Sequence, residues 1–233
     1  VLTYDDGLNV HLDNAIPLLD SLGMKGTFFI PAAADVFQLR AEDWKKAAAN
    51  GHELGNHTLF HPCNGALPGR SWVNPDYDLK NYSVRRFMEE VQSCNLLLSG
   101  IDGQKDRSFA YTCGDMNAGN ESFKELIGKK FTAARGVRSA MNNMQTVDLS
   151  NIDSYMINGE SGEKMIALVN KAMEEHTLLV FLFHGVGGEH NLNVSLPAHR
   201  ELLQYLKQQE DKIWVSTLLD AGKHISRYRR DAL

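Results

Sequence analysis

Two histidines stand four residues apart in the run Gly51-His52-Glu53-Leu54-Gly55-Asn56-His57-Thr58-Leu59-Phe60-His61. On one helical turn His57 and His61 would share a face and offer two imidazole nitrogens to a single metal ion. A second constellation, Thr3-Tyr4-Asp5-Asp6-Gly7, sets adjacent carboxylates at the end of an apolar run. Neighbouring side chains on a strand point opposite ways. A bend at Gly7 would bring both acids to one mouth with different tasks, Asp6 on the metal and Asp5 free as a base. One carboxylate and two imidazoles leave a coordination position open for water or substrate, as catalytic metal sites do. Zinc suits this donor set, and cobalt, nickel or another first-row ion also fits it. Third, His184 closes the apolar run Phe181-Leu182-Phe183 and is followed by Gly185. Histidine is the side chain best matched to proton transfer near neutral pH. Each feature has a plainer reading: a solvated turn, a chance pair, a core histidine bonded to a backbone carbonyl. Their combination favours the metal.

The elements that would position these residues alternate along the chain. Residues 1–4, 26–31, 53–55, 108–113, 131–137, 151–157, 178–183 and 213–216 read as strands from their apolar, β-branched and aromatic content. Helices are expected at 12–22, 41–50, 83–99 with Ser83 as N-cap and Gly100 at the end, 121–128, 162–176, 199–208 and 218–228. Residues 63–82 are polar and rich in Pro and Gly, and read as a loop. Strands followed by helices imply a parallel sheet, and about seven of them can close into a barrel. In such barrels chemistry sits on loops after the strands' C-terminal ends, and all three constellations fall there. His52, which precedes its strand, belongs to the opposite mouth and reads as structural.

The 233 residues are 43% hydrophobic and 23% charged, with a net charge of −5. That balance is ordinary for a globular chain able to bury a full core, and a single domain over 1–233 is expected. With no basic surplus, a nucleic-acid partner is disfavoured. No apolar run approaches the 18 or so residues of a membrane span. The opening strand has no charged segment or cleavage site before it. The chain therefore reads as the inside of a longer gene product, with any leader upstream of residue 1. Three cysteines, Cys63, Cys94 and Cys113, are too few for a disulfide framework.

The motifs resemble those of the polysaccharide deacetylase family, also called the NodB-homology domain or carbohydrate esterase family 4. Thr3-Tyr4-Asp5-Asp6-Gly7 is similar to its first motif, T-F-D-D-G. His57-Thr58-Leu59-Phe60-His61 is similar to its second, H-[ST]-x-x-H, and the preceding GHELGN is also typical. Phe181-Leu182-Phe183-His184 resembles the fifth, L-x-H. Order and spacing agree over residues 1–184, and the segment from Trp214-Val215 onward extends the likeness to nearly the whole chain. The resemblance implies a distorted (β/α)7 barrel of the NodB-homology type. It implies Asp6, His57 and His61 as ligands of one divalent ion, Asp5 as general base and His184 as general acid. It also implies an acetylated carbohydrate substrate, cleaved at an amide or ester, and work outside the cytoplasm: secreted, periplasmic or at the cell surface.

The chain departs from the family in two places. The third motif, R-x-P-Y-G, reads Ala110-Tyr111-Thr112-Cys113-Gly114 here. In relatives that Arg pairs with the catalytic Asp, and the Tyr backbone N–H helps bind the oxyanion. A backbone donor survives substitution, so Cys113 is expected to keep it. Arg135, at the end of the next strand, is expected to replace the Arg and keep Asp5 ionised; a solvated Arg is the plainer alternative. The fourth motif's acid, which tunes the catalytic His, has no clean counterpart. Asp153 is the nearest candidate and Asp148 the second. Cys63 and Cys113 would lie on one rim of the implied barrel, where a disulfide is possible in an oxidising compartment. Trp72, Tyr77 and Tyr82 would be sugar-stacking platforms or loop anchors. His190 and Asn193 would lie on the last loop of the site, within reach of substrate.

Two competing readings stand beside this one. Two histidines and a carboxylate also describe the facial triad of iron oxygenases, but there the acid follows the first His at H-x-D and the fold is an antiparallel jelly roll. The altered motifs would also suit a carbohydrate-binding relative that has lost turnover.

Overall fold

Period-two alternation along the first strand sorts its side chains into two layers. In the computed structural model, which describes residues 1–231, that strand is β1 (Leu2–Asp5). It is followed in the chain by β2 (Thr27–Ile30), β3 (Glu53–Asn56), β4 (Phe109–Ala110), β5 (Ala134–Arg135), β6 (Tyr155–Met156) and β7 (Phe181–Phe183). These form one sheet in the order β5-β4-β3-β2-β1-β7-β6, and every pairing is parallel. Backbone bonds continue the ring past β5: Ile152 N–H donates to Ala134 O and Gly136 N–H to Ile152 O, each at 2.8 Å. Tyr155 N–H then donates to Val180 O at 2.9 Å. The 149–156 segment thus joins β5 to β7, and the sheet curls into a distorted (β/α)7 barrel.

Helices surround the ring: α1 (Ile16–Ser21), α2 (Asp35–Leu39), α3 (Ala41–Ala49), α4 (Val84–Asp102), α5 (Lys124–Lys130), α6 (Gly162–Glu175), α7 (Leu196–Gln208) and α8 (Leu218–Asp231). The outward layer packs against them. Tyr4 stacks between Phe28 and Phe183 at 4.8 and 5.2 Å, within a large core that also holds Trp44, Leu54 and Leu203. The inward layer carries Phe29, Ala110, Val180 and Ile152 in a smaller cluster with Leu218. Here Gly55 has a steric role: a Cβ on it would lie 2.4 Å from Cδ1 of Phe29. At the bottom of the ring Glu53 is buried and fully engaged. Its carboxylate accepts from Thr27 Oγ1, Ser108 N and Oγ, and Leu219 N at 2.6–3.0 Å, tying β2, the entry to β4 and α8 together. His52, at the same end, lies 3.2 Å from Asp20 and accepts from Gly26 N.

The structure trims several expected elements. The runs 108–113 and 131–137 contribute only two paired residues each. Residues 213–216 form no strand; they lead from α7 into α8, where Thr217 Oγ1 accepts from Asp220 N. The long helix runs through Gly100 and stops at Gly103, whose φ of 68° is the left-handed cap. Residues 121–122 pair with 117–118 in a small ribbon, and the helix starts only at Lys124. The expected helix at 12–22 begins with a wider π turn, His11–Ala15. No helix among the described residues is long and apolar enough to cross a membrane.

Candidate active site

β1 delivers Asp5 into the ring, and the chain then breaks. Asp6 and Gly7 take φ of 79° and 62°. That turn takes Asp6 out of the strand's alternation, so its carboxylate reaches the same mouth as Asp5. A left-handed non-glycine residue costs about 1–3 kcal/mol. Six described residues carry that cost, and Asp6, Thr58, His61, Cys113 and Glu189 all border this mouth. Concentrated strain is characteristic of functional sites.

β3 delivers the histidines. Asn56 Oδ1 accepts from Thr58 N at 2.8 Å, and Thr58 Oγ1 accepts from His61 N at 3.0 Å. This local turn, rather than a helix, sets the two rings 4.7 Å apart. His57 is buried, and its Nδ1 lies 2.9 Å from Ala110 O. That bond fixes the tautomer and leaves Nε2 to face the acids, 3.6 Å from Asp6 Oδ1 and 3.8 Å from Asp5 Oδ2. His61 Nε2 lies 3.4 Å from Asp6 Oδ1. The ligand atoms of Asp6, His57 and His61 all fall within 4.8 Å of one another. Two imidazoles, one carboxylate and a backbone carbonyl steadying a ring are the donor set and outer support of a zinc-type site. The residues present fit a divalent ion.

Asp5 is enclosed more tightly. Its Oδ2 accepts from Arg135 Nη2 at 2.5 Å. Arg135 is fully buried, donates also to Gly136 O at 3.2 Å, and lies over the Phe29 ring at 5.2 Å. Ala110 and Arg135 are register partners on β4 and β5. The cation therefore sits at the same height as position 110, one strand further round. Oδ1 of Asp5 is buried with no hydrogen-bond partner among the described residues.

His184 follows β7 and is held from below. His11 Nδ1 accepts from Leu8 N, so its Nε2–H donates to His184 O at 2.7 Å. The His184 ring has a buried Nδ1 with no partner among the described residues. Neither acid considered for that role reaches it. Asp153 pairs with Arg138, and Asp148 bonds Lys124 and Ser150 near the surface. Instead the His190 ring stacks on His184 at 4.7 Å. His11 and Glu189 carry no local signal in the sequence, because the site groups they hold, His184 O and Val10 N, lie more than 170 residues from them along the chain.

Cys63 and Cys113 are joined in a disulfide with Cα atoms 5.8 Å apart. It ties the turn after His61 to the 3-10 turn Thr112–Gly114 that follows β4, and Cys63 Sγ lies 3.6 Å from His61 Nδ1. Arg70 reinforces the junction by donating to Cys113 O at 2.9 Å and pairing with Asp115. Of the three loop aromatics, Tyr82 is a core anchor under the Arg86 guanidinium. Tyr77 stacks on Phe60. Trp72 stands 64% exposed and free to meet a ligand. Asn193 points its amide oxygen at Gly188 N, 2.8 Å away, and so shapes the loop.

The charges are those a cation needs. Burial alone would raise the Asp6 carboxyl, but His61, His57, His184 and His190 together hold it below its usual range. Burial lowers His57 to about 4 against the pull of Asp5, so the ring is neutral at physiological pH. Burial also lowers His184, with Asp5 and Asp6 opposing.

Comparison with known proteins agrees with this architecture. A polysaccharide deacetylase family model matches residues 1–131, more than half of the chain. A gellan lyase from a Bacillus species is 24% identical over 248 residues, which span 96% of this chain and only 9% of that protein. The peptidoglycan deacetylase PdaC of Bacillus subtilis superposes with a TM-score of 0.58 at 16% identity, over 100% of this chain and 93% of that one. The Xyl-CE4 domain of a multidomain xylanase from the hindgut metagenome of Trinervitermes trinervoides gives 0.59 at 17%, over 97% and 90%. The two solved structures share the NodB-type barrel with this chain, and the chain belongs to the polysaccharide deacetylase family.

Proposed function

We propose that this chain, acting as one catalytic domain, is a metal-dependent hydrolase that removes N- or O-linked acetyl groups from a polysaccharide or oligosaccharide. The observation that carries this reading is the meeting of Asp6, His57 and His61 beside a second carboxylate, Asp5, that is buried and paired with Arg135. A divalent ion held by the first three, zinc by the chemistry of its donors, would polarise the acetyl carbonyl and acidify a water.

The other residues divide the remaining work. Arg135 holds Asp5 in place through its Oδ2, and Oδ1, which has no partner among the described residues, is free to take the proton of the attacking water. Cys113, in a left-handed turn at the rim, offers its backbone N–H to the developing oxyanion. His184, whose lowered pKa makes its imidazolium a stronger acid, gives a proton to the departing amine or alcohol. Trp72 offers a flat face for a sugar ring. Such a substrate belongs to a secreted, periplasmic or cell-surface setting, where the Cys63–Cys113 bond also persists.

A second reading has its own support. The unpartnered Nδ1 of His184 suits a carbohydrate-binding relative with weakened turnover. Acetate release decides between them. Chitooligomers, peptidoglycan fragments and acetylxylan would be offered to zinc-loaded protein, to chelated protein and to Asp5→Asn. Metal-dependent release that Asp5→Asn abolishes is the expected result. Sugar binding without release would favour the second reading.

A further inference from the structure

The loop after His184 is built with more care than a surface loop needs. Gly185–Val186 pairs with Asn193–Val194, and between them Gly187, Gly188 and Glu189 take φ of 80°, 139° and 66°. A Cβ on Gly185 would meet Gly188 O at 2.2 Å, so the turn closes tightly on itself. Glu189 clamps it to the loop after Asp6: Oε1 accepts from Asn9 Nδ2 and Oε2 from Val10 N, both at 2.7 Å. The residue this clamp presents is His190.

His190 is oriented at each edge. Its Nδ1 accepts from Leu192 N at 3.0 Å, the closer of two contacts, since Leu192 O lies 3.3 Å from the same atom. That leaves the proton on Nε2, which faces Asp6 Oδ2 at 3.7 Å. His190 stands outside the cluster formed by Asp6, His57 and His61, so it is no ligand of that set. Its ring face covers His184 at 4.7 Å with 12° between the planes. His184 has its carbonyl held by His11 but, among the described residues, nothing bonded to its buried Nδ1. Without a hydrogen bond at that edge, the rotation of the His184 ring is set by what packs on its face.

We propose that His190 is the positioning residue of His184, holding its ring by stacking on a clamped support where a bonded acid is missing. The proposal rests on reading His184 as the proton donor. Three variants separate the stack from the hydrogen bonds. His190→Phe keeps a flat ring and loses the nitrogens. His190→Gln keeps a polar tip and loses the ring. His190→Ala loses both. The expected kcat falls about 10–100-fold in His190→Ala and His190→Gln with KM little changed, and stays within about threefold in His190→Phe. In 13C-histidine-labelled protein without substrate, the His184 ring signals keep their upfield, ring-stacked position in His190→Phe and lose it in His190→Ala. An active His190→Gln beside an inactive His190→Phe would overturn the proposal, as would three unchanged variants. If wild type releases no acetate, the deacetylase reading fails by itself and the labelled spectra decide: unmoved His184 signals in His190→Ala sink the stack.

Discussion

Nη2 of Arg135 lies 2.5 Å from Oδ2 of Asp5, reaching it from a strand four places round the sheet. Both groups are buried. Taking one partner from such a pair strands a charge in the interior, which costs about 3–5 kcal/mol. Arg135→Gln is expected to lower the unfolding free energy by that amount, read as a fall in the urea midpoint, and to cut turnover about 100-fold or more through misplacement of Asp5. Adding Asp5→Asn to Arg135→Gln should restore much of the stability and none of the activity. Because Ala110 and Arg135 are register partners, Ala110→Arg with Arg135→Ala returns a cation at the same height and is expected to recover part of the lost turnover. An Arg135→Gln protein with unchanged stability and turnover would show that the pair does nothing.

That pair also marks how far the sequence could be read. Asp5, Asp6, His57, His61 and His184 are legible because each lies at the end of an apolar strand in a recognisable order. Arg135 is legible only through the family resemblance, which implies a cation beside Asp5 where this chain has Ala110. His11 and Glu189 are not legible. They act through a carbonyl and two amide donors far along the chain, and no spacing rule encodes such contacts. The runs 108–113 and 131–137 read as longer strands than they form, for a related reason. An apolar run reports burial, whereas a strand needs a paired neighbour, and only two residues in each run have one. The apolar run at 213–216 is buried in part and pairs with nothing among the described residues.

Metal binding should appear as stability. An ion that binds only the folded state at 100 times its Kd adds about 2.7 kcal/mol. Zinc titrated into chelator-treated protein is expected to raise Tm until its sites fill, and chelator to reverse the rise. Asp6→Ala and His61→Ala should each abolish the shift. A rise that survives both substitutions would place the ion elsewhere.

The disulfide has two separable effects. It closes a loop with a sequence separation of 50, which constrains the unfolded chain by about 4 kcal/mol on the loop-entropy estimate. It also anchors the turn that carries His61, 3.6 Å from Cys63 Sγ. Cys63→Ser with Cys113→Ser is expected to lower Tm and to weaken zinc binding about 10-fold, the lower end of what an outer support contributes. Competition with a fluorescent chelator measures the second effect independently of the first. Unchanged zinc affinity would limit the disulfide to stability.

Buried histidines give the fold an acid limit. His199 is wholly buried beneath Tyr4, whose hydroxyl lies 2.9 Å from its Nε2. Burial lowers its pKa to about 3, and His11 is lowered to about 4 for the same reason. In the unfolded chain these rings titrate near 6.5. Between that value and the folded one, the unfolded state holds a proton that the folded state refuses, so stability rises with pH across the window. The contribution is whole above the unfolded pKa. It is lost as pH falls from about 6.5 towards 3, by about 1.4 kcal/mol per pH unit for each ring. His199→Gln keeps a polar partner for Tyr4 and does not titrate. Urea unfolding from pH 7 to 5 should therefore show a shallower fall for His199→Gln than for wild type, by about 1.4 kcal/mol per unit below pH 6. Parallel slopes for the two proteins would mean that His199 takes up its proton without unfolding the barrel.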